Sequence, residues 1–318
     1  MKRVLVTGGT GLTGAALIRY LLACEIEVVA LIRKNSARIK YLPKSERLHI
    51  ISCDMDEYLR IAKELMDYKP IDVFFHLAWD GSTIVDKIGS RDNMPLQAMN
   101  IVYAVNAVEL CHIIKCPCFI MTGSQAEFGR LDTILNENTV SIPNSGYGSA
   151  KLCAETMTRI MCRSYDIKHI FARLFSVYGP YDGTNSLVYT SILKLLSGER
   201  PKYTKGEQEW DFLYSFDAAK ALVLLAEKGR DGEMYCVASG ESRQLKEYIK
   251  TIHKVCNSNI VPVFGEIPYG KNQVMRLGAD ISKLKADTGF ESEYSFEQGI
   301  EYIKNWCIET SEKYEAIL

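Results

Sequence analysis

A short apolar strand over residues 2–7 runs straight into Gly8, Gly9, Gly11 and Gly14, and Leu17, Ile18, Leu21 and Leu22 then fall on one side of a helix. Few arrangements restrict a chain more. Glycines permit a tight turn and a close approach of the backbone to a pyrophosphate, and the helix N-terminus offers free N–H groups and a positive dipole end. The spacing reads as G-x-G-x-x-G from Gly9 or as G-x-x-G-x-x-G from Gly8. Between a strand and a helix, either form predicts a dinucleotide site.

The following segments extend that unit. The second strand, Glu27 to Ile32, is nearly all apolar, as a strand covered on both faces should be. It ends in Arg33 and Lys34, with Arg38 close behind, where an NAD site usually has a carboxylate for the ribose 2′-hydroxyl. A guanidinium there suits a 2′-phosphate, so NADP(H) is favoured, with NAD(H) the other possibility. Further strands are predicted over residues 48–53, 71–78, 119–122 and 168–175, with Asp56 capping a helix that continues to Met66 and Pro95 opening a helix to about Ile114. Alternating strands and helices without hairpin signals predict right-handed crossovers and a parallel sheet, with ligands beyond the strands' C-terminal ends. The fold class is α/β: a Rossmann-type doubly wound parallel sheet with a smaller C-terminal substrate-binding cap. Residues 1–175 form the dinucleotide-binding domain, and residues 176–318 form mainly the cap, with some segments returning to the first domain. Within the cap, residues 205–212 read as irregular and residues 218–227 as helical.

A formal net charge of -1 provides no field for nucleic acid or an anionic membrane, which favours a small ligand held by local groups. No apolar run suggests a signal peptide or a membrane span, so a cytoplasmic location is expected. The ten cysteines then read as reduced. Cys111, His112, Cys116 and Cys118 lack the paired C-x-x-C spacing of a closed zinc site, and no metal is expected. His76 reads as a packed strand-end residue.

Tyr147 and Lys151 stand four residues apart in a predicted helix and share one face. Together with the glycine loop, Ser124 after the fifth strand, and Arg173 to Pro180 (RLFSVYGP), they resemble the short-chain dehydrogenase/reductase superfamily, specifically its extended branch that modifies nucleotide-linked sugars. Arg276 to Lys283 (RLGADISK) is similar to that branch's C-terminal arginine and helix cap, so the resemblance spans nearly the whole chain. It implies Tyr147 as general acid/base, Lys151 on the nicotinamide ribose and Ser124 on the substrate oxygen. Gly8, Gly11, Leu12, Thr13 and Gly14 would hold the pyrophosphate, Asp54 and Met55 the adenine side, and Leu77 and Ala78 the wall of the dinucleotide site. Gln125, Ser176 and Arg276 would face the substrate, with Arg276 on its diphosphate. Moving a tyrosine from a pKa near 10 to near 7 takes about 4 kcal/mol. An ammonium about 5 Å away supplies about 3 kcal/mol at an effective dielectric of about 20. The resemblance also implies a homodimer joined through the helix bearing Tyr147 and the helix after Pro95.

The departures narrow the chemistry. Members that dehydrate sugars place an Asp-Glu pair directly after the Ser/Thr position, whereas Gln125 and Ala126 stand here and neither moves protons. Glu127 lies where the family usually has an apolar residue and reads as a polar contact or salt bridge. Trp210 replaces an arginine common among relatives, and Ser176 replaces an asparagine. The pieces around Gln125 and Trp210 look similar to reductases that make CDP-linked dideoxyhexoses. The leading reading is an NADPH-dependent reductase of a nucleotide-linked 4-keto-6-deoxy sugar. The alternatives are an NAD-dependent nucleotide-sugar 4-epimerase and a non-catalytic dinucleotide-sensing protein.

Overall fold

The computed structural model describes residues 1–82, 90–183, 186–270 and 273–315. Its centre is a seven-stranded parallel sheet: β1 (Arg3–Thr7), β2 (Glu27–Ile32), β3 (Leu48–Ser52), β4 (Val73–His76), β5 (Cys118–Ser124), β6 (Lys168–Leu174) and β7 (Glu233–Val237). The order across the sheet is 3-2-1-4-5-6-7. Strand order reverses at β1, which pairs with β2 on one side and β4 on the other. A crevice opens outside the strand ends at such a reversal.

Two apolar cores cover the sheet. One joins residues of the Leu12–Ala23 and Ser215–Lys228 helices to the sheet, and the other joins residues of the Met94–Ile113 and Gly146–Ser164 helices to it. Parallel strands need such crossovers, and burial on both faces explains the unbroken runs Val4–Val6 and Val28–Ile32. A third core gathers aromatic and aliphatic side chains from the C-terminal part, among them Tyr178, Ile192, Tyr203, Tyr248 and Ile300. The chain also returns from that part to the sheet: β7 pairs with β6, and the Ser215–Lys228 helix packs on the Leu12–Ala23 helix.

Two local expectations need correction. Residues 205–212 contain a short strand, Glu209–Trp210, and Phe212 opens a second, Phe212–Tyr214. The first is paired on both sides, to Arg243–Gln244 and Arg276–Ala279, and the second lies along Ser176–Tyr178. Strands of two or three residues have no legible alternation, and their partners are far off in sequence. Asp56 caps no long helix. Asp54 caps a 3-10 turn at Met55–Glu57 through a box with Glu57, and the α-helix that follows is only Ala62–Leu65.

His76 is buried, with Nδ1 2.9 Å from Thr7 Oγ1, and burial pushes its pKa down to about 3. Cys111 and Cys116 are buried too, the Cys111 thiol donating to the Cys116 carbonyl, while His112 stacks on Tyr165. Among the described residues no cluster of His, Cys, Asp or Glu could hold a metal, and no helix is long and apolar enough to cross a membrane.

Candidate functional site

A cleft of about 390 Å³ lies at the strand ends, lined by the glycine loop, by Leu77 and Trp79 after β4, by Thr122 to Ser124 of β5, and by Tyr147 and Lys151. Gly8 has φ +71°, and a Cβ there would meet the Leu77 and Ala78 backbone at 2.7 Å. At Gly14 a Cβ would lie 2.2 Å from the Gly8 carbonyl oxygen. Both positions therefore exclude side chains. The helix Leu12–Ala23 begins at Gly11 with no side-chain cap, so its first N–H groups are open to an anion. This cradle fits a dinucleotide pyrophosphate.

The other end of the cleft is dense with charge. Ser145 caps the Gly146–Ser164 helix, accepting from the Gly148 N–H at 3.1 Å, and the first turns bring Tyr147 and Lys151 to the cleft wall. Lys151 is 3% exposed, donates to the Thr122 carbonyl at 2.7 Å and lies 4.0 Å from the Trp79 ring centroid. Burial lowers its pKa to about 7, against the pull of Glu127. Tyr147 meets Trp79 edge to face, and the Arg91 guanidinium stacks on its ring at 4.5 Å. Burial raises the Tyr147 pKa, while a hydrogen bond with Ser124 and the charge of Arg91 act in the opposite direction and Glu127 adds to the rise. The cation stacked on the tyrosine is thus Arg91, a residue that the sequence reading did not single out.

Glu127 lies behind this wall with no exposed surface. It accepts the Ser124 N–H at 2.5 Å and the Arg173 Nε–H at 2.6 Å, and Arg173 donates to Ser141 and stacks on Phe128. Burial raises the Glu127 pKa to about 7 against Arg173, the Ser124 N–H and Lys151. The salt bridge expected for Glu127 is therefore present, and its carboxylate is fully engaged away from the cleft.

Other expected positions lie outside the walls of this cleft. Arg33 is exposed and has no partner among the described residues, whereas Lys34 pairs with Glu57 at 2.7 Å. Arg38 donates to the Thr10 carbonyl at 2.8 Å and to the Tyr181 carbonyl, which ties the glycine loop to the turn after Tyr178. Asp54 accepts the Lys34 N–H, Met55 packs half-buried beside the second core, and the Ala78 N–H donates to Thr7. Gln125 is half-buried. Trp210 donates to Ser176 at 2.8 Å, so two residues that depart from the family pattern bond each other. Arg276 pairs with Glu209 at 2.9 Å, and both side chains are nearly half exposed. Trp79, Thr122 and Gly123 line the cleft without having been singled out; each sits within three residues of a strand end, which was the one signal available.

Fold and site together define a dinucleotide-dependent α/β enzyme of oxidoreductase type. The model of the NAD dependent epimerase/dehydratase family matches residues 4–238, and the chain belongs to that family. It is 26% identical to an uncharacterized protein of Methanocaldococcus jannaschii over 98% of each chain. It is 24% identical to dTDP-glucose 4,6-dehydratase of Escherichia coli, over 99% of this chain and 96% of that one. Among solved structures, the UDP-N-acetylglucosamine 4-epimerase of Methanobrevibacter ruminantium superposes with a TM-score of 0.86 at 27% identity, covering 97% of this chain and 99% of that one.

Proposed function

We propose that the chain is an NADPH-dependent reductase of a nucleotide-linked 4-keto-6-deoxy sugar. The observation that supports this most is Arg33: an exposed guanidinium at the end of β2, without a partner among the described residues, where an NAD site would place a carboxylate. When bound, the dinucleotide would supply hydride to the C4 carbonyl carbon. Tyr147, hydrogen-bonded with Ser124, would donate the proton to the carbonyl oxygen, and Ser124 would hold that oxygen in place. A pKa raised by burial suits this direction, because a buried phenol stays protonated until it is needed. Lys151, fixed by the Thr122 carbonyl and Trp79, would hold the nicotinamide ribose.

Dehydration needs a second proton carrier at the neighbouring carbons. Gln125 and Ala126 cannot serve, and Glu127 is held by Arg173 and the Ser124 N–H. This supports chemistry at one carbon. The second reading, a 4-epimerase returning hydride to the opposite face, is supported by the likeness to the Methanobrevibacter ruminantium epimerase. The diphosphate of the substrate would meet Arg276, and residues 176–318, apart from the segments that rejoin the sheet, would form its side of the cleft. Exposed Met94, Met99 and Val102 on one helix and Met157 and Ile160 on its neighbour support a homodimer through that face.

Mixing the protein with a nucleotide 4-keto-6-deoxy sugar and following NADPH absorbance tests the reading. Stoichiometric oxidation is expected. Interconversion of 4-epimers without net cofactor change would replace it with the epimerase.

A further inference from the structure

The acidity of Tyr147 needs a nearby cation, and the expected source was Lys151, one helical turn on. Lys151 instead spends a hydrogen bond on the Thr122 carbonyl and lies over the Trp79 ring. The guanidinium that stacks on Tyr147 comes from a different segment, the 3-10 turn Ser90–Asp92. Two further contacts fasten that turn to the helix of Tyr147. Asp92 accepts the Gly146 N–H at 2.8 Å, directly before the tyrosine. A Cβ on Gly146 would lie 2.7 Å from the Met94 sulfur and 3.0 Å from the Arg91 carbonyl oxygen, so the close approach of the turn depends on glycine there.

We infer that Arg91 is a positioning residue for the proton transfer: seated on the Tyr147 ring by the Asp92 cap and the bare Gly146 backbone, it stabilises the phenolate and fixes the ring's orientation. The inference rests on the assignment of Tyr147 as proton donor. The charged and titratable groups facing Tyr147 are Arg91 from the turn and Glu127 from beyond β5, with the Ser124 hydroxyl bonded to it. Lys151 faces Thr122, Trp79 and the charge of Glu127. Arg91 and Glu127 therefore act on the phenol with opposite signs, the first favouring the phenolate and the second the phenol. Removing Arg91 leaves the Ser124 hydrogen bond alone against burial and Glu127, which moves the ionisation of Tyr147 upward. Activity limited by proton donation is present below the Tyr147 pKa and lost above it, so the basic limb of the pH profile moves upward too, while the weaker acid lowers kcat at neutral pH.

The experiment labels the protein with 3-fluorotyrosine, which brings phenol ionisation into an accessible range, and follows the Tyr147 19F resonance, assigned with Tyr147→Phe, against pH. Arg91→Met is expected to raise the midpoint by about one pH unit, and Arg91→Lys to restore most of that shift. Gly146→Ala, which displaces the turn and leaves the guanidinium present, is expected to move the midpoint in the same direction. In the reductase assay, Arg91→Met is expected to lower kcat about tenfold with little change in KM. An unmoved 19F midpoint in Arg91→Met overturns the inference, even if activity falls, and so does a rise in KM alone. The 19F titration needs no substrate. If wild-type protein leaves 4-keto sugars untouched, the reductase reading fails while the titration still decides the place of Arg91.

Discussion

Two glutamate–arginine pairs of this molecule differ in their surroundings. Glu127 and Arg173 meet at 2.6 Å with both side chains essentially inaccessible, whereas Glu209 and Arg276 meet at 2.9 Å with both nearly half in solvent. The first pair is locked further by the Ser124 N–H, Ser141 and the Phe128 ring. Removing either member strands a charge where water cannot reach it, and the cost of that exceeds the worth of the pair itself. The second pair exchanges one solvated partner for another. Its contribution to stability is small. Nearly equal distances thus describe a structural keystone and a provisional contact. The same contrast separates Tyr147 and Lys151, buried in the cleft wall, from Arg33, exposed outside it.

The strongest way to break the contrast is at the buried end. Tyr147→Phe is expected to lower kcat by about 10²- to 10⁴-fold while dinucleotide affinity, measured by fluorescence titration, stays within about twofold. An active variant would show that another group donates the proton. Next in size, Arg173→Met is expected to destabilise the fold by about 3–5 kcal/mol in urea denaturation, because Glu127 is left buried and uncompensated. Adding Glu127→Leu should recover part of that loss. If the single change proves mild, the pair is wetter than its burial indicates.

The exposed end gives smaller effects of a different kind. Arg33→Asp is expected to shift preference from NADPH toward NADH by about 10- to 100-fold in kcat/KM, since about 1.4–2.8 kcal/mol separates a paired from a repelled 2′-phosphate. Unchanged NADPH affinity would place the 2′-phosphate elsewhere. Arg276→Ala is expected to alter stability by less than about 1 kcal/mol while raising KM for the nucleotide sugar. A large fall in melting temperature there would erase the distinction between the two pairs.

Much of this was legible because it is local. The N-terminal strand, glycine loop and helix lie within 23 residues, β2 occupies the predicted span, the helix Met94–Ile113 begins and ends within a residue of expectation, and Tyr147 and Lys151 share the helix Gly146–Ser164 as expected. The segment after β3 was misread because acidic residues at positions 54, 56 and 57 offer competing caps, and the backbone took Asp54 with a 3-10 turn. The strands at Glu209–Trp210 and Phe212–Tyr214 were missed because their pairing partners lie at positions 243–244, 276–277 and 176–178.

By itself, then, the sequence determined the parallel sheet, the anion cradle at Gly8 to Gly14 and the shared helical face of Tyr147 and Lys151, since hydrophobic period, glycine placement and helical spacing act between near neighbours. Which charge stands beside which group was decided only by the tertiary structure. Arg91 reaches Tyr147 from another turn, Arg173 reaches Glu127 from the neighbouring strand, and Trp210 bonds Ser176 from a separate short strand. Charge and hydrogen-bond interactions depend on distance and burial, and neither is a property of position along the chain.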